Sequence, residues 1–187
     1  MIAALVLAAA ACNGDCRAES LFVHMERKLL SRLVQLEAKS HAEGSVHADA
    51  TADLSIGPAA RLRARGTFQG KPFDKSFDQP ATAELRDAFV LGLTRMGLLH
   101  NVVRLAHDQA PDHADGTVRD WLRPVKFRRV KGGVGYVMNV GGTETGETTL
   151  LIDAKTKLPR RRTAVIHFPA GDMRVTESYR FPRKRAP

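Results

Sequence analysis

The patterning of this chain predicts an α+β fold, with helices covering the apolar face of one antiparallel sheet, and three observations carry that expectation. Residues 131–181 read as four consecutive strands separated by turn signals. Residues 45–77 read as three more strands in two hairpins. Two further segments, 19–40 and 82–107, carry apolar residues at helical spacing. A sheet with one apolar face needs a cover, and those helical segments are the material for it.

The N-terminal stretch stands apart from that scheme. Met1 to Ala11 is uncharged and apolar, like the core of a secretory leader, and is too short to span a bilayer. Ala9-Ala10-Ala11-Cys12 resembles a bacterial lipoprotein box, so Cys12 is a candidate for acylation, while simple cleavage of the leader stays open. The expected organisation is a leader over residues 1–18 and a single domain over 19–187, since 187 residues suit one core. Cys12 and Cys16 both precede that domain, which therefore has neither a disulfide framework nor a Cys-rich zinc site.

The first helix is expected from about Glu19 to Ser40, on the stripe Phe22, Met25, Leu29, Leu33 and Leu36, with Ser20 as N-cap and Gly44 as stop. From Ser45 to Ile56 the period becomes two: Val46, Ala48, Ala50, Ala52, Leu54 and Ile56 share one face. After Gly57-Pro58, Leu62, Ala64, Gly66 and Phe68 point inward, and Arg61, Arg63 and Arg65 outward. Gln69-Gly70-Lys71-Pro72 then turns the chain into Phe73 to Phe77. Several inward residues here are small, so the interior needs bulky residues opposite them or is left hollow.

Thr82 to His107 is helical in period but apolar over too wide an arc for one contact, and Gly92 and Gly97 are positions where it can divide. Its charged residues exclude a comfortable membrane span. The loop His107 to Gly116 holds His107, Asp108, Asp112, His113 and Asp115, but their spacing matches no zinc or calcium pattern, so a solvated loop is expected. Trp121 to Val130 adds a strand.

In the final meander, Val134, Tyr136, Met138 and Val140 share a face, followed by runs at Thr148 to Asp153 and Thr163 to Phe168. The last strand alternates Met173, Val175, Tyr179 and Phe181 with Arg174, Thr176, Ser178 and Arg180. The same parity sets Glu177 on the apolar face. Buried there it needs a partner such as an arginine; alternatively a bulge or twist carries it to the rim, which is the working expectation.

Twenty-nine Lys and Arg against twenty Asp and Glu give a net charge of +9, which fixes the sign of a partner but not its kind. No nucleophile elbow, phosphate-binding loop, dinucleotide fingerprint or H-E-x-x-H motif occurs. The expectation is a protein that is not an enzyme, with no catalytic residues, cofactor or metal.

The leader, the amphipathic helix, the hairpins, the helical insert and a meander carrying Leu151-Ile152-Asp153-Ala154-Lys155-Thr156-Lys157-Leu158-Pro159-Arg160 together resemble the bacterial lipoprotein-carrier superfamily (LolA/LolB-like). The Glu177-Ser178-Tyr179 strand resembles it locally as well. The resemblance implies a curved antiparallel sheet forming an incomplete β-barrel, with an N-terminal helix and a helical lid over an apolar cavity that holds acyl chains. On that reading the cavity residues are Leu62, Phe68, Phe89, Leu93, Met96, Tyr136, Met138, Val175 and Tyr179. Arg61, Arg63, Arg65, Arg160, Arg161 and Arg162 face outward. The implied protein is monomeric and exported, periplasmic or anchored to the envelope membrane. Its partners are a lipid or lipoprotein acyl chain and an anionic membrane surface, not nucleic acid. The alternative is an envelope-sensing or polyanion-binding module without a lipid cavity. A third class is an enzyme built on Glu177 or the His107 to Asp115 loop.

Overall fold

The computed structural model describes residues 14–32, 34–111, 124–140 and 143–182. The chain is α+β. Nine antiparallel strands form one sheet in the order β4-β3-β2-β1-β9-β8-β7-β6-β5 among the described residues, and the sheet is not closed. The strands are β1 (Val34–Gly44), β2 (Ala48–Ile56), β3 (Ala59–Phe68), β4 (Lys71–Pro80), β5 (Pro124–Val130), β6 (Gly133–Val140), β7 (Thr143–Ile152), β8 (Pro159–Phe168) and β9 (Gly171–Arg180). Between β4 and β5 lie α2 (Ala83–Leu91), a π-helical turn (Gly92–Met96) and α3 (Leu98–Ala106); α1 (Cys16–Leu30) precedes the sheet. The first strand pairs with the last, which joins the N-terminal hairpins to the C-terminal meander.

The first helix is shorter and earlier than its apolar stripe suggests. Asp15, not Ser20, is the N-cap: its carboxylate accepts from the backbone N–H groups of Arg17 and Ala18 at 2.9 and 3.1 Å. Residues 16–18, expected in the leader, form its first turn, and Ala18 is buried. The helix ends at Leu30 because Arg86 of α2 donates to the carbonyls of Leu29 and Leu30, satisfying C-terminal groups that another turn would have used. Residues 34–44, expected to continue the helix as far as Ser40, are β1 instead. Val34, Leu36, Ala38, Ser40 and Ala42 are buried in alternation, a period of two that Leu36 alone could not reveal. Leu33 lies outside the described residues.

The meander differs at its boundaries. β7 begins at Thr143 rather than Thr148, and β8 at Pro159 rather than Thr163. Backbone pairing extends both beyond the apolar runs that signalled them, with irregular register at Thr145/Thr148 and Leu151/Ile152. The segment 82–107 divides where its glycines allow, with Gly92 opening the π-helical turn and Gly97 ending it. Trp121 and the residues Asp112, His113 and Asp115 lie outside the described residues, as does Cys12.

Small residues line up across the sheet: Ala64, Ala52 and Ala38 are in register on β3, β2 and β1, and beside them stand Gly66, Ala50 and Ser40. α3 packs on these strands and carries the buried Leu98, Leu99, Val102 and Leu105. The small row is thus what admits a helix at close range. At the other end α1 packs on β5 and β6, where Phe22 meets Phe127 and Tyr136 with ring centroids 5.1 and 5.2 Å apart.

Candidate functional site

The site grows from two ionised residues on the inner face of the sheet. Glu177 on β9 stands directly opposite Arg162 on β8, and the two side chains are 0% and 1% exposed. Arg162, expected among the outward arginines, is therefore inside. The signal was present: counting back by twos from Ile166 through Ala164 reaches Arg162. The missed start of β8 concealed it. Glu177 is buried as its parity indicates and is not carried to the rim, for β9 pairs with β1 and β8 without a bulge.

Each oxygen of the Glu177 carboxylate accepts two hydrogen bonds. Oε1 takes Leu99 N–H at 2.7 Å and the Ser40 hydroxyl at 3.3 Å; Oε2 takes the Tyr179 hydroxyl at 2.8 Å and Arg162 Nη1 at 3.3 Å. Leu99 lies in the first turn of α3, whose N-cap, Gly97, has no side chain with which to cap it. Glu177 supplies that acceptor from the sheet and sets a negative charge at the helix N-terminus. On the other side of the break, Arg162 Nη2 donates to the Arg95 carbonyl at 3.2 Å, and the Tyr136 hydroxyl donates to the Thr94 carbonyl. The cation meets the end of one helical piece and the anion meets the start of the next.

Gly97 is required at this junction. Its φ is 95°, and a Cβ there would lie 2.2 Å from Glu177 Oε2 and 2.6 Å from Arg162 Nη1. A second ion pair holds the π-helical turn to α1: Glu26 accepts from Arg95 Nε and Nη2, both at 2.8 Å, and from the Thr94 hydroxyl at 2.7 Å. Burial pushes the Tyr136 phenol up to about 12, against the pull of the Arg162 guanidinium, and pushes Tyr179 well above the usual phenol value, with Glu177 adding to it. For Arg162, burial works to lower the pKa, but Tyr136, Glu177 and Tyr179 outweigh it and the net shift is upward. Arg162 Nε, sealed from solvent, has no acceptor.

Beside this cluster lies a pocket of about 340 Å³. It is lined by Met96, Leu99, His100 and Val103 of the helical segment, by Met138, Arg162, Ile166, Phe168, Met173 and Val175 of β6, β8 and β9, and by Val46 and Phe68. Only Arg162 and His100 of these carry charged or titrating groups. Phe168 is 39% exposed, more than any other large apolar side chain among the described residues.

Of the nine residues expected to surround an acyl chain, Phe68, Met96, Met138 and Val175 line this pocket. Leu62, Phe89, Leu93, Tyr136 and Tyr179 do not; they are buried in the surrounding core, Tyr136 and Tyr179 as hydrogen-bond donors. Leu99, Val103, Ile166, Phe168 and Met173 were missed, although period counting alone puts each on an inward face.

The exposed arginines are partly neutralised. Arg61 pairs with Asp78 at 2.9 Å and Arg63 with Asp74 at 3.1 Å across β3 and β4, while Arg160 and Arg161 are exposed. His107 packs edge-on against Phe68, and Asp108 pairs with Lys75 at 2.6 Å. Among the described residues no three His, Cys, Asp or Glu side chains converge as metal ligands, and no helix is long and apolar enough to cross a membrane. No family model matches the chain, and no curated protein does.

Proposed function

We propose that this protein binds a lipid or a lipoprotein acyl chain, taking its hydrocarbon into the pocket between α3 and strands β6, β8 and β9. On this reading the α2-to-α3 segment is a helical lid, the open sheet is an incomplete barrel curved around the pocket, and the protein works in the bacterial envelope in transport or localisation of lipoproteins. The single observation that carries the reading is the wall composition: ten of the twelve lining residues are apolar. The pocket volume of about 340 Å³ falls within the range of small-molecule sites. Each methylene taken from water contributes about 0.8 kcal/mol, so a modest chain is held reversibly without covalent chemistry. The resemblance of the Leu151 to Arg160 hairpin and the Glu177 strand to the lipoprotein carriers supports the same reading.

The test is denaturing mass spectrometry of an organic extract from protein purified without detergent, alongside the mass of the mature N-terminus. A stoichiometric acyl-chain species is expected. Extracts free of lipid, together with no uptake of added acyl chains, overturn the reading.

A further inference from the structure

We propose that the pocket measures its ligand: it takes one unbranched hydrocarbon chain of about fourteen carbons, methyl end first, and leaves the polar head at the hairpin between β8 and β9. This inference rests on the lipid-binding reading above and narrows it to single-chain amphiphiles, either a free fatty acid or a lysophospholipid.

The pairing of β8 with β9 gives the pocket a direction. The inward positions of β8 run Arg162, Ala164, Ile166 and Phe168, and on β9 Glu177, Val175 and Met173 stand opposite the first three. Burial falls along that line: Arg162 and Val175 are buried, Ile166 is half-buried and Phe168 is exposed. The closed end is thus at Arg162, beneath Leu99, whose N–H is bonded to Glu177. Tyr179, the next inward residue of β9, donates to Glu177 at 2.8 Å and blocks any path beyond.

Two measures of size agree. From Arg162 to Phe168 the strand advances six residues, about 20 Å at about 3.4 Å each. An extended hydrocarbon with C–C bonds of about 1.5 Å gains about 1.3 Å per carbon, so that span accommodates about fifteen carbons. By volume, an apolar cavity of about 150 Å³ holds one benzene, and the pocket of about 340 Å³ is little more than twice that, enough for about fourteen carbons. A second chain has no room. A lipid with two or three chains leaves the others in water, whereas a single-chain ligand buries its whole hydrocarbon.

The closed end does not suit the head group. Arg162 Nη1 and Nη2 are committed to Glu177 and to the Arg95 carbonyl at 3.3 and 3.2 Å, and Nε is sealed from solvent. A carboxylate brought there loses its water and meets Glu177, whose charge already balances the guanidinium. A methyl group loses nothing there.

The experiment is isothermal titration calorimetry of the full chain with saturated fatty acids below their micelle concentrations. From decanoate to tetradecanoate each added methylene should tighten binding by about two- to fourfold, and hexadecanoate and octadecanoate should gain nothing further. Myristoyl lysophosphatidylcholine should bind as well, the tighter of it and tetradecanoate naming the head group, while dimyristoyl phosphatidylcholine should not be extracted from vesicles. Tetradecanedioate, with a carboxylate at each end, should bind at least about a hundredfold more weakly than tetradecanoate. Val175→Met, one inward position from the ion pair, should move the plateau to shorter chains, and Leu99→Ala should move it to longer ones. Phe168→Ala, at the open end, should weaken every chain alike without moving the plateau. Affinity that keeps rising through octadecanoate, a plateau unmoved by both Val175→Met and Leu99→Ala, extraction of the two-chain lipid, or tetradecanedioate binding as tightly as tetradecanoate each overturns the proposal and leaves lipid binding itself standing. No binding of any chain overturns both.

Discussion

Arg162 and Glu177 face each other across β8 and β9 at 3.3 Å, and between them they hold both sides of the Gly97 break, the guanidinium through the Arg95 carbonyl and the carboxylate through the Leu99 N–H. The sheet thus grips the helical segment at its break, where the Leu99 N–H and the Arg95 carbonyl take their partners from the strands. Both charges are buried, so either one left alone lacks compensation.

Glu177→Ala should destabilise the protein by about 3 to 5 kcal/mol, because it strands the Arg162 charge and leaves the Leu99 N–H without its acceptor. The double variant Arg162→Met with Glu177→Leu should lose less than Glu177→Ala alone. Urea denaturation of the three proteins measures this, and equal or greater loss in the double variant would contradict it.

Gly97→Ala should lower stability by about 2 kcal/mol or more, since the methyl group meets both ionised side chains and the backbone lies at a positive φ. Gly70→Ala makes a useful comparison, because it is also at positive φ but has open space around it. It should lose only the backbone contribution.

The two tyrosines of the chain, Tyr136 and Tyr179, are both buried in this cluster. Tyr136 ionises near 12 in the folded protein against 10 in the unfolded chain. Its raised value means that the folded state keeps a proton that the unfolded state gives up. The contribution is whole below pH 10, and about 2 to 3 kcal/mol is lost as pH rises from 10 to 12. Phenolate absorbance should stay absent at pH 10.5 while the protein is folded and appear together with loss of structure. Ordinary titration near 10 in the native protein would refute this.

Ile166→Trp, at a half-buried position in the pocket wall, should fill the space and abolish co-purification of acyl chains while changing stability by about 1 kcal/mol or less. Retention of bound lipid by this variant would show that the chain sits elsewhere.

Period-two alternation made most of the sheet legible, and the helical period with its glycines at 92 and 97 marked where residues 82–107 divide. The inward parity of Glu177 was equally plain. It failed at residues 34–44, where Leu36 and the Leu33 outside the described residues continue the stripe of α1 and mimic further turns of it. It failed again at Arg162, where an arginine among three in a row reads as solvated surface.

Local pattern thus settles which residues share a face, because side-chain alternation is a property of the backbone within a few residues. Which charge enters the interior is decided across the fold. Arg162 is tolerated inside only because β9 brings Glu177 opposite it and the broken helix brings unsatisfied carbonyl and N–H groups to both. Those partners come from segments dozens of residues apart, so no reading of β8 alone contains the reason.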